Sequence, residues 1–365
     1  MGGGEGKVTA RKISGDARAE GAGQGGAKSV SAKDVAALAG VSRAAVSRTF
    51  TPGASVSAET RRKVLEAADA LGYQVNHLAR GLTRQQTGIV ALIVAKLATP
   101  YRSAMVQALT GKLQAAGKVA MIINTDQEEA TVELALRQAL SYRADAAVIL
   151  SGMPDRSIAD LCHRNGQRLV LINRDDSLPG SIQLRVNDAQ AGRMALLAFL
   201  RAGCRRLAVA TSCDDTPSLL ARERSFLEEA RTLGLDVQCE RFGASGYDSG
   251  LALGERLLVR PERPDAVFCT TDLIACGVMD AARQRFGLSI PADLSVIGFD
   301  DIPQAGWEAY QLTTFTQPIE ETASAAVDWI ARGENGDVPC RVDLTATMRW
   351  RRSVRARQAE AAPAG

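Results

Sequence analysis

From Gly88 onward the chain repeats one alternation for about 230 residues: a strand-sized apolar run, then an amphipathic stretch of helical period. The runs are GIVALIVA, KVAMIIN, AAVILSG, RLVLIN, RRLAVAT, DAVFCTTD and LSVIGFDD. Continuous apolar runs of this length, separated by helices, predict βαβ units and parallel sheets covered on both faces. Seven such strands are too many for one small sheet, so the spacing predicts two α/β lobes. Ligands bind such sheets beyond the carboxyl ends of the strands.

The segment before this alternation has a different character. Residues 1–87 carry 13 Lys/Arg against 7 Asp/Glu, whereas the remainder carries 31 against 34. A basic head on a mildly acidic body suits a polyanion partner. Residues 1–29 are rich in Gly, Ala, Lys and Arg and hold almost no large apolar side chain. Such a composition predicts a disordered extension. From Val30 the period turns helical. Ser31 stands where a helix cap belongs, with Asp34 in the first turn. Val35, Ala36, Leu38 and Ala39 form an apolar face, and Gly40 ends the helix. Ser42 caps a second helix, with Ala45 and Val46 inward and Arg43, Ser47 and Arg48 outward. Ser57 opens a third, with Val64, Leu65, Ala68 and Leu71 at spacings of three and four. Helix, glycine turn, helix is the helix-turn-helix layout.

Taken together these motifs resemble the lactose-repressor (LacI/GalR) family of bacterial transcription regulators, from about Val30 to Arg355. KDVAALAGVSRAAVSR is similar to its helix-turn-helix signature. VSAETRRKVLEAADALGYQVNHLARGL is similar to its third helix and hinge. TPYRSAM, LINRDD, VFCTTDLIACGVMDA, IPADLSVIGFDDIP and LTTFTQP resemble landmarks of its effector-binding core. The resemblance implies a helix-turn-helix domain at 30–75, a hinge helix and linker at 76–87, and a periplasmic-binding-protein-like core at 88–355, with a short tail at 356–365. It also implies three crossings of the core chain between lobes, expected near Val186, Phe315 and Arg341. That places lobe one at about 88–186 and 316–340, and lobe two at about 187–315 and 341–355.

The resemblance also implies the DNA-binding set. Arg43 and Ala44 occupy the positions that choose bases in the major groove, and an arginine can donate two hydrogen bonds to guanine. Ser47 and Arg48 match positions that touch phosphate and base. Ser31 and the start of the third helix position the DNA backbone without reading sequence, and Ser42 belongs to the same DNA-binding set. In the hinge, Asn76, His77 and Ala79 are carried over, and Leu82 is the residue that wedges into the central base step. Val75 stands where the family often has proline, and Ala45 where it commonly has threonine. Gly81 weakens the hinge helix by about 1 kcal/mol relative to alanine.

For the core, the effector-binding candidates carried over are Lys96, Thr99, Tyr101, Ser151, Arg174, Arg222, Asp272, Asp300, Trp307 and Gln317. Lys96 departs from the family, which often has aspartate at that strand end. With Arg174 and Arg222 it favours an anionic effector, a sugar acid or sugar phosphate, held by charge-assisted hydrogen bonds. The bland alternatives are that Lys96 points to solvent or pairs with Asp300, that Asp272 caps its helix, and that Arg174 pairs with Asp175 or Asp176.

The expected partners are a pseudo-palindromic duplex operator, a small-molecule effector and a second copy of the chain, in a homodimer or a tetramer. No metal and no other cofactor is expected. An enzyme is disfavoured because the sequence has no GxGxxG after the first strand, no phosphate loop and no GxSxG. A periplasmic capture protein would share the core but not the basic head. The longest apolar runs fall short of the roughly 18 residues of a membrane helix. Seven cysteines without a CxxC pair point to reduced thiols. The expectation is a cytoplasmic, nucleoid-associated repressor.

Overall fold

The structure is a computed structural model and describes residues 30–51, 53–75, 86–126, 129–174, 178, 180–332 and 340–356. The chain divides into two compact units, 1–79 and 80–365. The predictions for the extension, the hinge and the end of the tail fall outside the described residues. Among the described residues no helix is long and apolar enough to cross a membrane.

The first unit contains three helices, α1 (Ala32–Ala39), α2 (Arg43–Thr49) and α3 (Ala58–Leu71). Val35, Ala36, Val46, Val64, Ala67 and Ala68 form its core. These are mostly small side chains, so the helices approach closely. Leu38 and Leu65, both expected inward, are exposed, at 57% and 42%. On α3 the buried positions Val64, Ala67 and Ala68 fall at i, i+3 and i+4, and Leu65 lies about 100° around the helix from Val64.

The second unit holds two sheets. The first has the order β11-β5-β4-β3-β1-β2, all neighbours parallel. Its strands are β1 (Ile89–Ala95), β2 (Val119–Thr125), β3 (Ala146–Ile149), β4 (Arg168–Ile172), β5 (Ser181–Val186) and β11 (Cys340–Leu344). Alternation along β1 sends Val90, Leu92 and Val94 to one face and Ala91 and Ile93 to the other. The first face packs on α4 (Pro100–Ala115) and α11 (Ile319–Arg332). The second packs on α5 (Glu129–Ser141) and α6 (Arg156–Arg164).

The second sheet has the order β7-β6-β8-β9, also parallel. Its strands are β6 (Leu207–Thr211), β7 (Val237–Arg241), β8 (Ala266–Cys269) and β9 (Ser295–Ile297). On one face lie α7 (Asp188–Arg201) and α8 (Pro217–Thr232), with Phe199, Phe226 and Phe268 at the centre. On the other lie α9 (Tyr247–Leu258) and α10 (Asp272–Phe286). A small antiparallel pair, β10 (Thr314–Thr316) and β12 (Thr347–Arg349), joins this lobe through bridges from Ile297 to Thr313 and from Asp300 to Thr316.

The chain leaves lobe one after Val186, returns between Thr316 and Ile319, and leaves again between Leu344 and Thr347. The last passage lies beyond Arg341, where the sequence placed it. Arg341 pairs in register with Gln183 inside the first sheet. A polar edge strand, CRVDL, gives no apolar run to mark its lobe.

Candidate functional site

The helix-turn-helix is built by two serine caps and a glycine. Ser31 donates from both its backbone N–H (2.9 Å) and its hydroxyl (2.7 Å) to the Asp34 carboxylate, which fixes the start of α1. Gly40 takes the left-handed conformation, φ 65°, that turns the chain into α2. Ser42 Oγ accepts from the Ala45 N–H at 3.2 Å and caps α2. At the other end Arg61 of α3 donates to the Thr49 carbonyl at 2.9 Å. Val46 and Thr49 are the buried side of α2. Arg43, Ala44, Ser47 and Arg48 are all exposed, and so are Ser31 and Ser42. The geometry therefore presents a short helix with two arginines, a hydroxyl and a methyl on its free side. Asn76, His77, Ala79 and Leu82 lie outside the described residues.

In the second unit, the carboxyl ends of β1 and β6 face one cleft of about 120 Å³. Both strands occupy the switch point of their sheets, where the neighbouring crossovers run in opposite directions and leave a crevice. Each is followed by a Thr-Pro helix start, Thr99-Pro100 for α4 and Thr216-Pro217 for α8. Proline suits the first helical turn, where no N–H is needed.

Six of the ten effector candidates line this cleft: Lys96, Thr99, Tyr101, Arg222, Asp300 and Gln317. Arg222 is the most constrained. Its Nε donates to Asp188 at 2.8 Å, and its Nη1 donates to the Thr270 carbonyl at 2.9 Å. Its guanidinium lies 3.4 Å above the centre of the Phe299 ring. Asp300, at φ 127°, accepts from Gln317 Nε2 at 2.7 Å and stands 3.9 Å from Arg222 Nη1. Burial pushes its carboxyl up to about 6, against the pull of Arg222. The Gln317 carbonyl oxygen is buried and has no partner among the described residues. Tyr101 receives a weak bond from Asn173 Nδ2, at 3.4 Å. Burial first, then the nearby Asp300 charge, holds its phenol well above the ordinary range. Thr99 bonds back to the Lys96 carbonyl at 3.0 Å. Lys96 neither points to solvent alone nor pairs with Asp300. Its ammonium meets Asp214 of the other lobe at 3.1 Å.

Four candidates do not line the cleft. Ser151 is fully buried and accepts from the Ala95 N–H at 3.0 Å and from Arg102. Arg174 is buried and donates to the Leu150 carbonyl at 3.0 Å. Asp272 is buried and accepts from the Ile302 N–H at 3.0 Å and the Thr314 hydroxyl at 2.5 Å. Burial and the Asp300 charge raise its pKa strongly. It ties α10 to the strand-end loops rather than capping its own helix. Trp307 is 55% exposed and lies outside the lining.

The sequence reading missed Arg102, Asn173, Asp214, Ser218 and Ser245, all of which line the cleft. Arg102 is mostly buried, and that burial lowers its pKa. Asn173, at φ 55°, accepts from the Val186 N–H at 3.0 Å with its side-chain oxygen. Asp214 also accepts from the Ser245 N–H at 2.8 Å.

Residues 31–76 match the bacterial regulatory proteins of the lacI family, and residues 196–354 match a periplasmic binding protein-like domain. The chain is 31% identical over 323 residues to the HTH-type transcriptional regulator GalS of Salmonella typhimurium, covering 87% of this chain and 93% of that relative. It belongs to the lacI family of bacterial regulatory proteins. The ribose operon repressor of Escherichia coli is 29% identical, over 81% of this chain and 90% of its own. In fold, the chain matches a crystal structure of the lac repressor dimer bound to operator and the anti-inducer ONPF, with a TM-score of 0.81 and 24% identity. That match covers 90% of this chain and 100% of the other. The lacI-family membership makes the protein a DNA-binding transcriptional regulator with an effector-binding core.

Proposed function

We propose that the protein is a cytoplasmic repressor that binds a pseudo-palindromic operator as a homodimer and is controlled by a small, neutral, polyhydroxylated effector held between the core lobes. The observation that carries the effector class is the charge balance of the cleft. Lys96 is matched by Asp214, and Arg222 by Asp188. An anionic ligand at either of these cations would have to compete with its carboxylate, whereas hydroxyl groups satisfy donors and acceptors together; Arg102, the other cleft cation, donates to the Leu150 carbonyl and to Ser151. The buried Gln317 oxygen has no donor among the described residues, and Asp300 offers a carboxylate acceptor beside the Arg222 guanidinium. A vicinal diol supplies both requirements. The sugar-operon name of one relative supports the same class. On the DNA side, the exposed row Arg43, Ala44, Ser47 and Arg48 is the proposed reading surface. Binding rather than catalysis is the reading supported by the relatives, which are regulators.

The test is a thermal-shift panel on the full chain with neutral aldoses, sugar acids and sugar phosphates. Each hit is then titrated into a complex with duplex DNA selected in vitro. A ligand at a hundred times its Kd adds about 2.7 kcal/mol of stability. Stabilisation by a neutral sugar that also changes DNA affinity supports the proposal. Stabilisation by acids or phosphates alone overturns the neutral class, and DNA affinity that ignores every stabilising ligand overturns the effector role.

A further inference from the structure

The contact between Lys96 and Asp214 joins the two lobes across the cleft. Lys96 follows β1 of lobe one, and Asp214 follows β6 of lobe two. Both ends are fixed by their own lobes. The Lys96 carbonyl accepts from the Thr99 N–H and the Thr99 hydroxyl, each at 3.0 Å, and its backbone is held at φ 52°. That left-handed conformation is unfavourable for lysine, so the turn rather than the residue's preference sets the backbone from which the side chain leaves. Asp214 Oδ2 accepts from the Ser245 N–H at 2.8 Å while it meets the ammonium at 3.1 Å. Among the described residues this contact is made by the two side chains and not by backbone, and those side chains are 41% and 24% exposed.

We propose that this ion pair is a releasable latch that favours the closed cleft before any effector binds. A buried pair would lock the lobes, because breaking it would leave an uncompensated charge. A half-exposed pair is screened by water and salt and contributes little, so it biases the opening equilibrium without abolishing it. Effector entry then requires a transient opening in which both side chains turn to solvent. Closure over the ligand regains the pair. The latch sets the resting population of closed core on which the effector acts. The inference rests on reading the cleft as the effector site. Its test uses neither ligand nor DNA, so the two readings fail separately.

The experiment is hydrogen exchange of the full-length protein without ligand, read on peptides covering 96–103, 212–219 and 243–247. Peptides from the sheet centres, 207–211 and 266–269, serve as the reference. Lys96→Met and Asp214→Asn each remove one charge, and Asn keeps an acceptor for the Ser245 N–H. Each is expected to speed exchange at the cleft by about two- to fivefold relative to the reference, the range of a weak ion pair. The double variant should match either single variant, and Lys96→Arg should stay at the wild-type rate. Unchanged cleft exchange in both single variants, or effects that multiply in the double, overturns the latch. Wild-type protein in 1 M sodium chloride gives a second measurement with no folding risk. Faster cleft exchange there, absent from the variants, is the expected result; salt-independent wild-type exchange overturns the proposal.

Discussion

Asp300 is the residue whose protonation should couple effector binding to pH. Its carboxyl is raised from 3.8 to about 6 by burial, and it faces Arg222, Gln317, Asp188 and Arg102. A raised carboxyl holds its proton in the folded chain where the unfolded chain has lost it. Its ionisation therefore costs stability as pH rises from about 4 to about 6, and the full cost is present above that. Acidification should relieve this cost in the ligand-free protein while removing the acceptor that an effector needs. The melting shift given by a stabilising sugar should shrink as pH falls through about 6, measured by thermal melts with and without sugar. Asp300→Asn retains an acceptor for Gln317 but loses the charge. Its sugar affinity at pH 7.5 should fall at least about tenfold, as for a hydrogen bond to a charged group, with a flat pH profile below 7. A pH-dependent shift surviving in Asp300→Asn would move the titrating group elsewhere. On the head, Arg43 is exposed and makes no side-chain hydrogen bond or ion pair among the described residues. Arg43→Ala should leave the melting temperature unchanged and relax base preference at one operator position by about 1–3 kcal/mol, read by selection on randomised duplexes. Unchanged preference would retire Arg43 as a base reader.

At the scale of elements, the cleft depends on how closely α7 crosses α8. Gly192 of α7 lies against the turn of α8 that carries Arg222. A Cβ there would stand 2.5 Å from the Arg222 carbonyl and run into the Ser225 hydroxyl. Gly192→Ala should cost about 1–3 kcal/mol by denaturant titration and weaken sugar binding as well, because α8 must move and Arg222 moves with it. Loss of stability with sugar affinity intact would show that Arg222 is positioned by Asp188 and Thr270 alone. The same crossing shows what the sequence conceals. The RERSF segment identified Arg222 by resemblance, but nothing in it names Gly192, 30 residues earlier, as the space that admits Ser225. Strand legibility follows the same physics. β1, β3, β4, β6 and β8 are buried nearly throughout and appear as apolar runs. β5, β7 and β11 read SIQLRV, VQCER and CRVDL. The last two are edge strands, and all three carry polar residues that interrupt the run, so hydropathy alone leaves them as loops. The cleft residues divide likewise. Lys96, Tyr101 and Arg222 stand in motifs, whereas Asp214 lies in CDDTP, whose one signal is a Thr-Pro helix start that repeats ATP of the first lobe.

For the whole molecule, the two proposed surfaces lie in two compact units, each with its own core, the small-residue core of the head and the two-sided cores of the lobes. Communication between the two proposed surfaces is a coupling free energy. Such a coupling is reciprocal for equilibrium binding. If a sugar changes operator affinity by some factor, operator must change sugar affinity by the same factor. The electrostatic part of DNA binding should stand apart from this exchange. Affinity for random duplex should fall steeply with salt, through counterion release from the basic head, and stay insensitive to sugar. Measuring sugar Kd by calorimetry with and without saturating operator, and operator Kd by anisotropy with and without saturating sugar, gives two ratios. Equal ratios place the whole effect of the sugar in a conformational equilibrium of the core that the head senses. Unequal ratios mean that the sugar has a second site or that the assembly state changes during the titration, and a two-site description of this chain then fails.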